Sequence, residues 1–259
     1  MEPEMATLTN QVAIVTGAGS ENGIGFATAR LLGEAGVSVV LAGFGSRVNQ
    51  RSAELRESGI RSIAVQGDLS DPEDAASLVK AALDAFGGIH ILVNNAGMTA
   101  ETDPQEPAGI LGISEPQWRR AISRNLDTTL NVTRAVSPHM ADQRYGRIVM
   151  VSSVSGPIAA YAGDVGYHAA KAAIVGLMRA TALELGGLGI TSNSVAPGWI
   201  GTESATEEEL LHGTHTPLGR SGTADVVAAL IKFLASPEAS YITGQLIVVD
   251  GGNSIQEAR

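Results

Sequence analysis

Short apolar segments that alternate with helical patterns constrain the fold of this chain more than any other feature. Seven segments of five or six residues are predicted strands: 12–16, 37–42, 62–66, 89–93, 147–152, 191–196 and 245–249. Near-continuous apolar strands that alternate with helices are typical of a parallel sheet covered by helices on both faces. The pattern therefore predicts an α/β fold with a doubly wound, seven-stranded parallel sheet and three α/β/α layers.

The predicted helices fill the intervals between these strands. Residues 71–86 place Ala75, Leu78, Ala82 and Phe86 along one amphipathic face, and further helices are predicted over 26–34, 164–185 and 224–235. We find no linker, repeat or low-complexity segment between them. A chain of 259 residues is long for one domain, but α/β folds reach that size. We therefore predict a single domain over 1–259, with a polar tail at 1–10.

Composition excludes several classes of function. The formal net charge is −10 and the chain holds only three lysines, so it lacks the basic surface that nucleic acid requires. It has no cysteine, which excludes disulfides and thiolate metal sites and suits a cytoplasmic location. The apolar stretches are far shorter than the ~20 residues of a membrane span. We expect neither a nucleic-acid nor a membrane partner.

A glycine-rich loop follows the first predicted strand. It reads Gly17-Ala18-Gly19-Ser20-Glu21-Asn22-Gly23-Ile24-Gly25 and leads into the helix at 26–34. Such a loop lets the backbone turn sharply and approach a pyrophosphate, which then binds at the helix N-terminus. The strict G-x-G-x-x-G fingerprint fails at Asn22, so a purely structural turn is the alternative. The position between strand and helix favours dinucleotide binding.

The end of the second strand indicates which dinucleotide binds. An acidic residue at this place accepts hydrogen bonds from the adenosine ribose of NAD. The segment here reads Leu41-Ala42-Gly43-Phe44-Gly45-Ser46-Arg47 and contains no carboxylate. Ser46 and Arg47 could instead hold a 2′-phosphate. NADP is therefore favoured, with NAD possible; in the alternative interpretation Arg47 caps the turn and points to water.

Tyr167 and Lys171 are the strongest candidates for chemistry, with Ser153 fourteen residues upstream of the tyrosine. Residues at i and i+4 share a helical face, so the phenol and the ammonium can meet. A free tyrosine ionises near pH ~10. A unit charge at ~4 Å contributes up to ~4 kcal/mol at an effective dielectric near 20, enough to bring the pKa of the phenol toward neutrality. An exposed pair without function is the alternative.

These motifs together resemble the short-chain dehydrogenase/reductase family, over about residues 12–252. The resemblance rests on several further positions that occur in the family's order. They are Asp68 after the third strand, Asn94-Asn95-Ala96-Gly97 after the fourth, Asn125 in the following helix, Pro197-Gly198 and Thr202 after the sixth, and Asp250-Gly251-Gly252 after the last. The resemblance implies a Rossmann-type fold and an NAD(P)-dependent oxidoreductase that acts on ketones or secondary alcohols.

The resemblance also implies residue roles. Tyr167 would exchange a proton with the substrate oxygen, Ser153 would hydrogen-bond that oxygen, Lys171 would lower the tyrosine pKa and hold the nicotinamide ribose, and Asn125 would position a relaying water. The cofactor itself would carry the hydride. The implied cofactor-binding residues are Gly17, Gly19, Ser20, Gly23, Ile24, Phe44, Ser46, Arg47, Asp68, Leu69, Asn95, Ala96, Gly97, Tyr167, Lys171, Pro197, Gly198, Ile200 and Thr202.

Three departures from the family's pattern affect these expectations. The glycine loop is two residues longer than the common form, and Glu21 lies where some NADP-dependent members place a basic residue. One residue is added between Ser153 and Tyr167. The loop from Gly97 to Asn125 is about six residues longer than is common, and its acidic residues either shape the entrance of the active site or face solvent; they are Glu101, Asp103 and Glu106.

The nearest resemblance within the family is to 3-oxoacyl-(acyl-carrier-protein) reductases, most visibly in the segment 240–245. The substrate would then be an acyl thioester. Of the two positions where those enzymes dock their acidic carrier, one holds Arg144 and the other Leu188. A reductase of a free ketone, sugar or steroid-like alcohol and, more remotely, a non-catalytic nucleotide sensor are the alternatives.

The resemblance also suggests a substrate lid and an assembly. Residues 201–217 would form the lid because they follow the nicotinamide-binding turn, and we expect no metal at His212 and His215 within it. The family is commonly tetrameric, and small residues on the helix of Tyr167 would allow close packing between subunits. They are Ala169, Ala172, Ala173 and Gly176. We therefore predict a homotetramer.

Overall fold

A computed structural model of the protein describes residues 8–97 and 106–257. Seven strands form one sheet in the order β3-β2-β1-β4-β5-β6-β7, and every neighbouring pair is parallel. The strands are β1 Val12–Thr16, β2 Ser38–Gly43, β3 Ser62–Gln66, β4 Ile91–Asn94, β5 Gly146–Val151, β6 Ile190–Pro197 and β7 Leu246–Val249. The predicted doubly wound α/β sheet is confirmed, and the strand ends shift by two residues at most.

Helices connect the strands and cover both faces of the sheet. They are α1 Ile24–Glu34, α2 Arg47–Glu57, α3 Pro72–Phe86, α4 Glu115–Ile122, α5 Thr128–Asp142, α6 Val165–Leu185, α7 Glu207–Thr214 and α8 Ala224–Leu234. Local sequence explains the ends of α3. The Asp71 carboxylate accepts the amide of Glu73, Pro72 occupies the first turn, and Gly87 ends the helix at a φ of 77°.

The core consists of two apolar layers, one on each face of the sheet. Because side chains alternate along a strand, Ile14 and Val15 of β1 point into different layers. Val15 packs among residues of α1 and α8, and Ile14 packs among residues of α3, α5 and α6. Over residues 8–97 and 106–257, no helix is both long and apolar enough to cross a membrane.

The strand order reverses between β1 and β4, which positions the site. β1 pairs with β2 on one side and with β4 on the other. The connections that leave β1 and β4 therefore run in opposite directions and open a crevice at the carboxyl edge of the sheet. Ligands of doubly wound folds bind in this crevice. The glycine loop follows β1 and residues 95–97 follow β4, so both predicted cofactor segments lie there.

Candidate active site

The floor of the crevice is formed by the glycine loop and the segment after β4. The side-chain amide of Asn95 donates to the carbonyls of Thr16 at 3.1 Å and Gly17 at 3.0 Å. Gly17 has a φ of 65°, and a Cβ there would lie 2.8 Å from Cα of Ala96. The close approach of the two loops therefore requires glycine at this position. Asn95 shapes the predicted cofactor site through the protein's own backbone.

The N-terminus of α1 opens onto this floor. Its N-cap residue is Gly23, and no side chain caps the first turn. The unpaired amides of a first helical turn, together with the helix dipole, attract a phosphate. A Cβ on Gly25 would lie 2.5 Å from the Gly17 carbonyl oxygen, so the loop folds tightly around this end. The residues present fit the diphosphate of a dinucleotide.

A polar cleft lies beside the glycine loop, where the adenosine end of a dinucleotide is predicted to bind. It is lined by Gly19, Glu21, Arg47, Gln50, Arg51 and Glu203. Phe44 at the end of β2 is exposed, and Ser46 directly precedes α2. The cleft therefore carries two arginines and two glutamates. Of these four, Arg47 and Glu21 were identified from the sequence.

Arg51 is the residue of this cleft that sequence reasoning missed. Its side chain is buried, its guanidinium lies 3.3 Å from Glu21, and it donates to Glu54. The guanidinium also lies 5.4 Å from the centre of the Phe26 ring. The spacing of four residues from Arg47 on α2 was an available signal.

Asp68 and Leu69, both predicted to bind the cofactor, follow β3. The Asp68 carboxylate accepts the amide and the hydroxyl of Ser70 at 3.0 and 2.7 Å. The side-chain amide of Asn131 on α5 donates to the carbonyls of Leu69 and Ser70 at 3.2 and 2.9 Å. Asn131 therefore ties this loop to α5, a positioning role that no local pattern indicated.

Ser153, Tyr167 and Lys171 meet where β5 ends and α6 begins. Asp164 caps α6 by accepting the amide of Tyr167 at 3.2 Å. The buried Lys171 ammonium donates to the Val151 carbonyl at 3.1 Å, and the Ser152 hydroxyl donates to the Lys171 carbonyl at 2.7 Å. These contacts hold the first turns of α6 against the end of β5.

Burial is the main influence on the pKa values in this cluster. Burial lowers the pKa of Lys171 to about 8. Burial also raises the pKa of Tyr167, and a hydrogen bond with Ser153 lowers it only in part. The lysine ammonium lies 5.6 Å from the centre of the Tyr167 ring. Desolvation therefore outweighs the lowering effect of Ser153 on the tyrosine pKa, and an effect of Lys171 on that pKa stays a prediction.

Asn125 lies in a π-helical turn, Ser123–Asp127, between α4 and α5. Its side chain is buried, and its amide donates to the Ala121 carbonyl at 3.0 Å. A Cβ on Gly97 would lie 2.8 Å from Oδ1 of Asn125 and 3.4 Å from Nζ of Lys171. The absence of a side chain at Gly97 leaves room between the two polar groups, and π turns often mark functional sites.

His168 links α6 to the preceding loop. Its Nε2 accepts the amide of Tyr161 at 3.1 Å, and its Nδ1 lies 2.6 Å from the Asp164 carbonyl oxygen. Nδ1 therefore carries the proton, and the ring is neutral in this arrangement. The Tyr161 and His168 rings also make an edge contact at 4.4 Å.

The residues after β6 complete the rim of the crevice. The amide of Gly198 donates to Val249 at 3.0 Å, Ile200 forms a bridge with Gly222, and the Thr202 hydroxyl lies 3.1 Å from that of Ser204. Trp199 stacks on His212 of α7 with ring centres 5.0 Å apart. Of the acidic residues predicted near the entrance, Glu101 and Asp103 lie outside the described residues, and Glu106 pairs with Arg120 at 3.2 Å.

A dinucleotide crevice next to a serine, a tyrosine and a buried lysine defines a nicotinamide-dependent oxidoreductase. Comparison with known proteins agrees: a family described as "Enoyl-(Acyl carrier protein) reductase" matches residues 17–254. The chain belongs to the short-chain dehydrogenase/reductase family.

Characterised relatives match over nearly their full length. A 3-oxoacyl-[acyl-carrier-protein] reductase of Synechocystis is 40% identical over 96% of this chain and 98% of the relative. The (2S)-[(R)-hydroxy(phenyl)methyl]succinyl-CoA dehydrogenase subunit of Thauera aromatica is 37% identical over 96% and 98%. The crystal structure of levodione reductase matches with a TM-score of 0.88 and 30% identity, over 96% of this chain and 99% of that chain.

Proposed function

We propose that this oxidoreductase is an NADP(H)-dependent reductase of 3-oxoacyl thioesters, which interconverts a ketone and a secondary alcohol. The observation that carries the proposal is the cluster of Ser153, Tyr167 and Lys171 at the end of β5, with Asn125 beyond Gly97. The relatives named as acyl-carrier-protein and acyl-CoA enzymes support a thioester substrate.

In this proposal each group of the cluster has one task. Tyr167 is neutral at physiological pH because burial raises its pKa, so its hydroxyl is ready to donate a proton to the substrate oxygen. Ser153 orients that oxygen by a hydrogen bond. Lys171 would hold the nicotinamide ribose hydroxyls, and a water positioned by Asn125 would relay protons between Lys171 and solvent. The bound nicotinamide supplies or accepts the hydride.

The remaining predicted residues would hold the cofactor. The glycine loop and the first turn of α1 would bind the diphosphate, the loops after β3 and β4 the adenosine and the ribose, and Ile200 with Thr202 the carboxamide. NADP is favoured because residues 41–47 contain no carboxylate, while Ser46 and Arg47 begin α2 beside the cleft. Glu21 and Glu203 in the same cleft oppose this preference, so NAD remains the alternative.

A free cyclic or small ketone is the second candidate substrate, and one contact favours it. The guanidinium of Arg144, one of the two predicted carrier-docking positions, donates to the Gly187 carbonyl at 3.1 Å, and the other position holds Leu188. An acidic carrier would therefore meet few cations here. The structural likeness to levodione reductase also supports a free ketone as the substrate.

Cofactor oxidation followed by absorbance tests the proposal. We expect NADPH to be consumed faster than NADH with acetoacetyl thioesters, more slowly with cyclic diketones, and not with crotonyl thioesters, which offer only a C=C bond. Tyr167→Phe should abolish turnover and leave the NADPH affinity nearly unchanged. If no carbonyl or alcohol is turned over although the cofactor binds, the protein is a nucleotide sensor. If Tyr167→Phe retains activity, the assignment of the proton donor is wrong.

The proposal extends to organisation and assembly. Residues 1–259 would act as one dinucleotide-binding unit in the cytoplasm, with 201–217 as the substrate lid. A homotetramer is supported by exposed apolar side chains on three helices, Leu130 on α5, Leu183 on α6, and Val226 and Phe233 on α8. Gly176 on α6 has no neighbouring atom within 4 Å of the place of a Cβ, which leaves room for a close subunit contact.

A further inference from the structure

The Glu203 carboxylate bridges two groups that are assigned above to the cofactor. Its Oε2 accepts the hydroxyl of Ser20 at 2.7 Å and lies 3.7 Å from the Arg47 guanidinium. Ser20 belongs to the glycine loop, and Arg47 opens α2 beside the polar cleft. Glu203 itself belongs to the 201–217 segment, on the far side of the crevice.

We propose that Glu203 is an internal competitor for the phosphates of the dinucleotide, and that NADP(H) must displace its carboxylate from Ser20 and Arg47. The inference rests on the proposed cofactor function. A carboxylate and a phosphate present the same kind of acceptor oxygens to a hydroxyl and a guanidinium. The Glu203 carboxylate and a cofactor phosphate would therefore compete for the Ser20 hydroxyl and the Arg47 guanidinium.

The charge of the cleft explains why Glu203 in particular would matter. Two arginines and two glutamates line it. The charge of Arg51 is compensated by Glu21 and Glu54, and its side chain is only 5% exposed. Arg47 is 43% exposed, and its guanidinium lies 3.7 Å from the Glu203 carboxylate, which competes with an incoming anion for that charge. Neutralising Glu203 therefore removes one negative charge from beside the Arg47 guanidinium.

The contacts of Glu203 with Ser20 and Arg47 are weak enough for a phosphate to displace them. Glu203 is 52% exposed, and exposed ion pairs contribute little because solvent screens them. A phosphate carries more charge and forms stronger charge-assisted hydrogen bonds. Since Glu203 directly follows Thr202, its release would also free the start of the 201–217 segment. Cofactor binding and movement of this segment would thus be linked.

Calorimetric titration of Glu203→Gln with NADP⁺ and NAD⁺ at low salt tests the inference. We expect the NADP⁺ Kd to fall about three- to tenfold, since the competing charge is removed. The NAD⁺ Kd should fall less, because NAD⁺ has no 2′-phosphate. Glu207→Gln is the matched control: it removes the same charge from the same segment, and Glu207 is an exposed residue at the start of α7.

The outcomes separate this inference from the proposed function. An unchanged NADP⁺ Kd in Glu203→Gln, or an equal gain in Glu207→Gln, overturns the competitor role while the cofactor site stands. Failure of the wild-type protein to bind either nucleotide overturns the proposed function as well. Without nucleotide, Glu203→Gln should be cleaved faster than wild type within 201–217 in limited proteolysis, and equal rates would contradict the bridging contact.

Discussion

At the residue scale, burial of the Lys171 ammonium costs the folded state stability. The ammonium is buried, and its pKa falls to about 8 from an ordinary value of 10.5. The folded state therefore carries a desolvated charge at pH 7, compensated only in part by the Val151 carbonyl. Such a group is expected at an active site, where proton transfer requires a pKa near the working pH.

This shift predicts a pH-dependent difference in stability for Lys171→Met. Because the folded pKa lies below the unfolded one, the unfolded chain binds more protons between pH 8 and 10.5, and wild-type stability rises with pH in that window. Below about pH 8, burial of the charged Lys171 ammonium lowers the free energy of unfolding by its full amount, roughly 3 kcal/mol. After loss of one hydrogen bond we expect the variant to be more stable by roughly 2 kcal/mol at pH 7, and inactive.

Denaturant titration at pH 7 and pH 10 measures this difference, which should shrink at the higher pH. Lys80→Met is the control, because Lys80 is exposed and pairs only with Asp84 on the surface of α3 within the described residues. The same pH trend in both variants would contradict the assignment to the buried ammonium.

At the element scale, the loop before α6 is held by one imidazole. We expect His168→Phe to lower stability by about 1–2 kcal/mol, because the Tyr161 amide loses its acceptor and the Asp164 carbonyl loses one of its two donors. Turnover should also fall, since the loop connects Ser153 to Tyr167. Thermal unfolding and steady-state kinetics measure both effects.

The matched control for that prediction is His139→Phe on α5. Within the described residues the His139 ring makes no hydrogen bond, so we expect near wild-type stability and turnover. A wild-type unfolding temperature for His168→Phe would show that the loop is held by other contacts.

Elements with strong periodicity were predictable from sequence, whereas long-range contacts were not. The observed strands and helices agree with the predicted ones, because the spacing of apolar residues determines which face of each element is buried. The π-helical turn at Asn125 leaves the apolar pattern unchanged, so no local signal marks it. The burial of Arg51 depends on Glu21 from a distant loop. The direction of the Tyr167 shift depends on desolvation, which a spacing of four residues does not report.

At the scale of the whole molecule, exposed apolar side chains on α8 predict self-association. Phe233 is 44% exposed and Val226 is 41% exposed on the outer face of this helix. We expect Phe233→Arg to shift the protein toward smaller species in light scattering coupled to size-exclusion chromatography, because a charge would replace an apolar contact. Phe44→Arg should not, although Phe44, which lies beside the polar cleft, is 56% exposed. A wild-type monomer would contradict the proposed assembly.

The hydrogen bonds beneath the glycine loop predict how fast different parts of the crevice open. The Thr16 hydroxyl accepts the amides of Asn95 and Ala96 at 3.0 and 2.9 Å, deep at the carboxyl edge of the sheet. At the rim, the Glu203 side chain contacts Ser20 and Arg47 at the exposed surface. Amide protons of the floor should therefore exchange with heavy water only when the whole domain opens, over hours or longer, and those of the rim within seconds to minutes. The loops that would bind the nucleotide would therefore stay folded while the 201–217 segment opens and closes independently of them.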